Sequence, residues 1–142
     1  MSTTQGEAPI CLWDPYRQRR VREWEAHSDA ITAMAAVRID GNTLLASAGE
    51  DRYLHLWNPD NERSLHQFDG HTDKITTLTP VTIQERAHLV STSDDRTVRV
   101  WDLKNRRATT TVAVHSPAWA SAHCGDSIVV GLSDGLLSLH LG

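Results

Sequence analysis

One spacing constrains this chain before anything else does: the same side chains return every 44 residues. Trp13, Trp57 and Trp101 obey that step, and so do His27, His71 and His115. It also carries Ser47 to Ser91, Asp51 to Asp95, Arg52 to Arg96, and Ile31-Thr32 to Ile75-Thr76. A fixed period of about 20 to 50 residues is the mark of stacked supersecondary units, each burying an apolar face on its neighbour. The chain is therefore read unit by unit.

The first complete unit, residues 27–70, contains four β-prone runs separated by turn signals. Ile31 to Val37 leads through Asp40-Gly41-Asn42 to Leu44–Ser47, then Glu50-Asp51-Arg52 turns into Tyr53–Trp57, and Asn58–Asn61 into Ser64–Phe68. Strict apolar alternation is weak, as expected of sheets packed on both faces. Residues 71–114 repeat the plan with Ile75–Leu78, His88–Ser91, Thr97–Trp101 and Ala108–Val112, and with Gln84-Glu85-Arg86 where the first hairpin had Asp-Gly. Residues 10–26 supply a leading strand pair, Ile10–Trp13 and Arg20–Trp24, turned by Asp14-Pro15. Residues 1–9 read as a frayed end or the stump of a unit.

The last unit, residues 115–142, is degenerate. His115 keeps its place, but Asp134 follows Asp95 by 39 residues, so five are missing, most simply from the hairpin near Cys124-Gly125-Asp126. Val130 stands where the serines stood and His140 where the tryptophans stood, and only three strands fit. The fold class expected is all-β, with no helix of useful length.

A unit with Gly70-His71 at its start and Trp101-Asp102 at its end, at this period, resembles the WD40-repeat family, and the resemblance covers nearly the whole chain. It implies a partial β-propeller: two complete four-stranded blades, a three-stranded last blade and a leading strand pair. It also implies a role for the recurring polar residues. His27, Ser47, Asp51 and Trp57, and again His71, Ser91, Asp95 and Trp101, match a buried relay in which aspartate accepts from histidine, histidine bonds serine, and serine accepts from the indole N–H. Each polar group is then satisfied.

The same inventory suits a serine hydrolase, and that alternative has to be met. A nucleophilic serine needs an exposed site, an oxyanion hole and a sharp elbow such as Gly-x-Ser-x-Gly, and the sequence offers no such elbow. Two copies of the set also favour structure over catalysis. No catalytic, cofactor-binding or metal-binding residues are therefore expected. His123, Cys124 and His140 come nearest to a ligand cluster, but adjacent residues on a strand face opposite ways.

The resemblance places the loops before each first strand, and the turns carrying the relay acid, on one rim where propellers commonly touch partners. Asp29, Asp73 and Lys74 belong to those loops, and Glu50, Asp94 and Ser133 immediately precede the turn acid. This mostly acidic edge implies a basic peptide or protein surface as ligand. Arginines recur between third and fourth strands, at Arg17, Arg19, Arg20, Arg22, Arg63, Arg106 and Arg107. With no interleaved aromatics to stack bases they read as solvated turns, so nucleic acid is not expected.

Composition narrows the remaining choices. At 39% apolar, 23% charged and net −4, the 142 residues make a globular chain without a strong field. Cys11 and Cys124 are too few for a disulfide framework, and no run reaches the roughly 18 apolar residues of a membrane helix. A soluble cytoplasmic protein with no membrane contact is expected. Two blades and two partial ones cannot close a ring, which leaves self-association, pairing with other propeller blades, or a piece of a longer protein, as at the end of bacterial multi-domain WD40 proteins. A truncated product without function is the remaining alternative.

Overall fold

The computed structural model describes residues 8–60, 63–114, 118–124, 127–132 and 135–140. They form thirteen strands in four sheets, each a simple antiparallel meander. The leading pair is β1 (Ala8–Asp14) and β2 (Arg19–His27). The first four-stranded sheet runs β3 (Ile31–Ile39), β4 (Asn42–Gly49), β5 (Leu54–Asn58) and β6 (Arg63–Phe68). The second runs β7 (Ile75–Ile83), β8 (Arg86–Ser93), β9 (Thr97–Asp102) and β10 (Arg107–Ala113). The last is β11 (Ala118–Cys124), β12 (Ser127–Leu132) and β13 (Gly135–His140). This is the partial propeller that the repeat implied, with four sheets and no closure. No helix among the described residues is long and apolar enough to cross a membrane.

Side-chain alternation builds the stack. Along β4 and β5, Leu44, Ala46, Ala48, Leu54 and Leu56 face the second blade, while Leu45 and Trp57 face the leading pair. Along β8 and β9, Leu89 and Trp101 face the first blade, and Val90, Val98 and Val100 face the last sheet. Both faces of each central sheet are therefore apolar, and three cores lie between four sheets. At two of them an aromatic on the outer strand of one sheet covers the tryptophan of the next: Trp24 lies 5.9 Å from Trp57, and Phe68 lies 5.3 Å from Trp101, ring centre to ring centre. Trp13, at the matching place on β1, has no sheet before it among the described residues and is 59% exposed.

The residue after each of Trp13, Trp57 and Trp101 fixes the next turn. Asp14 Oδ1 accepts from the N–H groups of Tyr16 (2.9 Å) and Arg17 (3.2 Å). Asn58 Oδ1 accepts from Asp60 N–H (3.0 Å), and Asp102 Oδ1 from Lys104 (3.0 Å) and Asn105 (3.2 Å). At Trp57-Asn58 and Trp101-Asp102 the pair thus joins a core anchor to a turn former, whose side-chain oxygen imitates a backbone acceptor.

Several strands run longer than expected from the sequence. β3 and β7 continue to Ile39 and Ile83 rather than stopping at Val37 and Leu78. Pro80 lies within β7, which is the edge of its sheet, the place where strands tolerate a residue without an N–H. The last unit is shortened in its first hairpin: β11 and β12 have 7 and 6 residues against 9 and 8 in β7 and β8.

The two complete first hairpins close through two-residue turns with positive φ at both positions, Asp40 (52°) with Gly41 (83°), and Gln84 (50°) with Glu85 (64°). That geometry suits Asp-Gly and strains Gln-Glu, because a Cβ in the left-handed region crowds the next carbonyl. Replacing Gln84 and Glu85 by Asn-Gly is expected to stabilise the protein by about 1 kcal/mol or somewhat more, read from the urea midpoint at unchanged m.

Candidate functional site

In each complete blade the outermost strand of the preceding sheet, or the loop after it, delivers a histidine to the top of the next blade. The second strand brings a serine, the following turn an aspartate, and the third strand an indole. In the first blade His27 Nδ1 lies 2.9 and 3.1 Å from the Asp51 carboxylate oxygens, His27 Nε2 lies 2.7 Å from Ser47 Oγ, and Trp57 Nε1 donates to the same Oγ at 2.8 Å. In the second blade His71 Nδ1 lies 2.9 Å from Asp95, His71 Nε2 lies 2.6 Å from Ser91 Oγ, and Trp101 Nε1 donates to Ser91 at 2.8 Å. The eight residues thus meet as two quartets.

Each aspartate also holds its own turn. Asp51 accepts from the N–H groups of Tyr53 (3.1 Å) and Ser28 (3.3 Å). Asp95 accepts from the N–H groups of Thr97 (2.8 Å) and Thr72 (3.0 Å), and from the Thr97 hydroxyl (2.6 Å). Burial by itself would raise both carboxyls, yet the donors outweigh it and hold each below the usual carboxylate range. His71 is pushed down from its ordinary value, first by burial, against the pull of Asp95. An ionised aspartate beside a neutral imidazole fixes the proton on Nδ1, so that Nε2 accepts from the serine O–H and the serine oxygen accepts from the indole.

The distances from serine through histidine to aspartate are those of a hydrolytic triad, so geometry alone does not separate the two chemistries. Access does. Ser47 and Ser91 are fully buried, and an indole N–H occupies the oxygen that would attack. A cavity of about 290 Å³ lined by Asp40, Thr43, Asn58 and Leu65 lies at the other end of the sheets, by the turns opposite the aspartates.

Of the rim residues, Asp29, Glu50, Asp73 and Lys74 are exposed and Asp94 is half-buried, 3.6 Å from Lys74 Nζ; Ser133 lies outside the described residues. Asp29 and Asp73 cap their own loops by accepting from Ala30 (2.9 Å) and Lys74 (2.7 Å) N–H groups. Arg52 and Arg96 share the rim, exposed in left-handed conformations, so the acidic residues are interleaved with cations. His115 lies outside the described residues as well.

One site residue has no counterpart in the sequence reading. His55 on β5 sits against His27, with ring centres 4.9 Å apart, and its buried Nδ1 has no hydrogen-bond partner. Its pKa is lowered to about 4, first by burial and then by the nearby His27, against the carboxylates of Asp51 and Asp69. The matching position in the second blade is Arg99, so the period that revealed the quartets concealed His55.

Residues 18–58 and 62–102 each match the family described as WD domain, G-beta repeat. No curated protein matches the chain.

Replacing Asp95 with alanine is expected to cost about 1 to 3 kcal/mol, because His71 and two N–H donors lose their acceptor; thermal unfolding of the purified variant measures it. Stability should also depend on acid in two stages. His55 and His71 have lower pKa values folded than unfolded, so the unfolded chain takes up protons first, and stability falls as pH drops from about 6.5 toward about 4. Asp51, Asp95 and Asp102 are lowered too, and their contribution, present above the ordinary carboxylate pKa, is lost as pH falls below that value through the lower folded ones. Urea midpoints from pH 8 to 4 should decline below about 6.5, and His55→Phe should remove part of that decline, roughly 1 kcal/mol after allowance for solvent screening.

Proposed function

The chain belongs to the WD40-repeat family, and from that premise we propose that it is a non-catalytic scaffold whose rim binds a basic peptide or protein surface. WD40 repeats serve protein–protein contact in general, and the finer reading rests on the chemistry of the two quartets. The observation that carries it is the enclosure of Ser47 and Ser91: each hydroxyl is wholly buried between histidine and indole, leaving no room for a substrate carbonyl. His27, Ser47, Asp51, Trp57, His71, Ser91, Asp95 and Trp101 act in this reading as fasteners between loop and sheet. No cofactor is called for.

The fasteners give the rim its value. Loops held by buried aspartates present Asp29, Glu50, Asp73 and Asp94 at fixed places on a rigid edge, and rigid presentation lowers the ordering cost of binding. Net acidity over these loops steers a Lys/Arg-rich partner, while Lys74, Arg52 and Arg96 favour a partner carrying a few acids of its own. Support for a second association comes from the open end of the stack. Trp13, at 59% exposure, occupies a face that in the first complete blade is covered by the sheet before it, so pairing with further blades or with a second copy of the chain belongs to the same proposal. The exposed thiol of Cys11 fits a reducing, cytoplasmic setting.

Two measurements test this function. A serine-reactive fluorophosphonate should leave Ser47 and Ser91 unlabelled, and labelling of either would restore the hydrolase. Among Lys/Arg-rich peptides assayed by fluorescence anisotropy, binding should weaken at least tenfold on reversing both charges in Glu50→Lys/Asp94→Lys. Equal affinity for the double variant, or no binding by any basic peptide, would defeat the rim assignment.

A further inference from the structure

His27, Asp51 and His55 offer three donor atoms that all lie within 4.8 Å of one another, in a chain read so far as needing no ion. We propose that these three side chains form a site for a divalent late-transition metal, zinc first, built into the first complete blade and not the second. Two imidazoles and a carboxylate are the borderline donor set that such ions prefer, with one position left for water.

Geometry and an unmet valence carry the argument together. An ion about 2.1 Å from each donor holds tetrahedral ligands about 3.4 Å apart. His27 Nδ1 and Asp51 Oδ2, 2.9 Å apart, are already near that separation, and neither needs to leave its strand end or turn. His55 has the larger gap to close, up to 4.8 Å before an ion is bound. Its Nδ1 is buried without any hydrogen-bond partner, an unusual state for a polar atom and one that ligation would relieve. The second blade has the same histidine–aspartate pair, His71 and Asp95, but Arg99 at the third position, and a guanidinium cannot ligate.

The proton balance is explicit. The ion takes the place of the hydrogen that His27 Nδ1 gives to Asp51, and that proton either leaves to solvent or is matched by one gained at Nε2. In the second case Nε2–H donates to Ser47 Oγ, which accepts from both His27 and Trp57 with its two lone pairs and gives up its own donation to histidine. Binding thus keeps the four side chains in contact, at the cost of the bond that the Ser47 hydroxyl gave to histidine. Because Asp51 fastens the turn beside Glu50, an ion there would stiffen one part of the rim and leave its counterpart by Asp94 unchanged.

The test uses the intact chain, stripped with chelator and titrated with Zn²⁺ and with Co²⁺ as a spectroscopic substitute. One Zn²⁺ per chain should bind at micromolar concentration and raise the unfolding temperature, and Co²⁺ should develop the visible ligand-field absorption of a low-coordinate site. In long-range ¹H–¹⁵N spectra the imidazoles of His27 and His55 should shift and those of His71 and His88 should not. His55→Ala and His55→Arg, checked for unchanged far-ultraviolet dichroism, should weaken binding at least tenfold. No binding at millimolar Zn²⁺, undiminished binding in folded His55 variants, or shifts confined to other histidines would each overturn the proposal. If neither variant folds, the wild-type imidazole shifts decide it.

Discussion

A sheet buried on both faces has nowhere to put a polar side chain unless that side chain brings its own partners, and this constraint governs the molecule. The central blades present Leu, Val, Ala and Trp to neighbours on either side. Yet the loop that links one blade to the next must be tied down, and only polar groups can tie backbone N–H groups directionally. The quartet meets both needs. Its aspartate faces the turn, its indole faces the core, and histidine and serine carry the hydrogen-bond chain between them with every donor and acceptor engaged. In so dry a place a half-satisfied chain would be worse than an apolar one.

The two blades solve their remaining problems differently. Where the first blade has Ala48, the second has Thr92, fully buried and bonded to Thr76 (2.7 Å) and Thr77 (2.6 Å) hydroxyls. In the first blade Thr32 instead donates to the backbone carbonyls of Ala48 and of Ile75 in the neighbouring blade, stitching the two inner strands together. His55 and Arg99 diverge in the same way. Repetition therefore fixes the frame, and individuality lies in positions that the frame tolerates, which is where a ligand or partner is distinguished.

Stacking also explains why the ends of the arc differ from its middle. Trp57 and Trp101 gain an aromatic cover from the sheet before them, whereas Trp13 carries the same side chain at the same step without one. Its exposure is a consequence of position in the stack, since the leading pair has no earlier neighbour among the described residues. The exposed Leu136 on β13 marks the other end. An array whose units are stable through their neighbours transmits that requirement to whatever adjoins it.

The sequence by itself determined the period, the four-strand plan of the complete units, the shortened last hairpin and the identity of the recurring polar residues, because these depend on spacing and on side-chain chemistry that act locally. Strand ends were less legible: Pro80 lies inside β7, and only its place at a sheet edge, a fact of tertiary order, makes that harmless. For the triad ambiguity the sequence already favoured fastening over catalysis, through the missing elbow and the doubled set, but the cover over Ser47 is a tertiary fact that only the structure displays. His55 was invisible for a different reason. It breaks the repeat, and only the packing of the leading pair on the first blade brings it beside a histidine 28 residues earlier, where the turn of its own sheet supplies the aspartate.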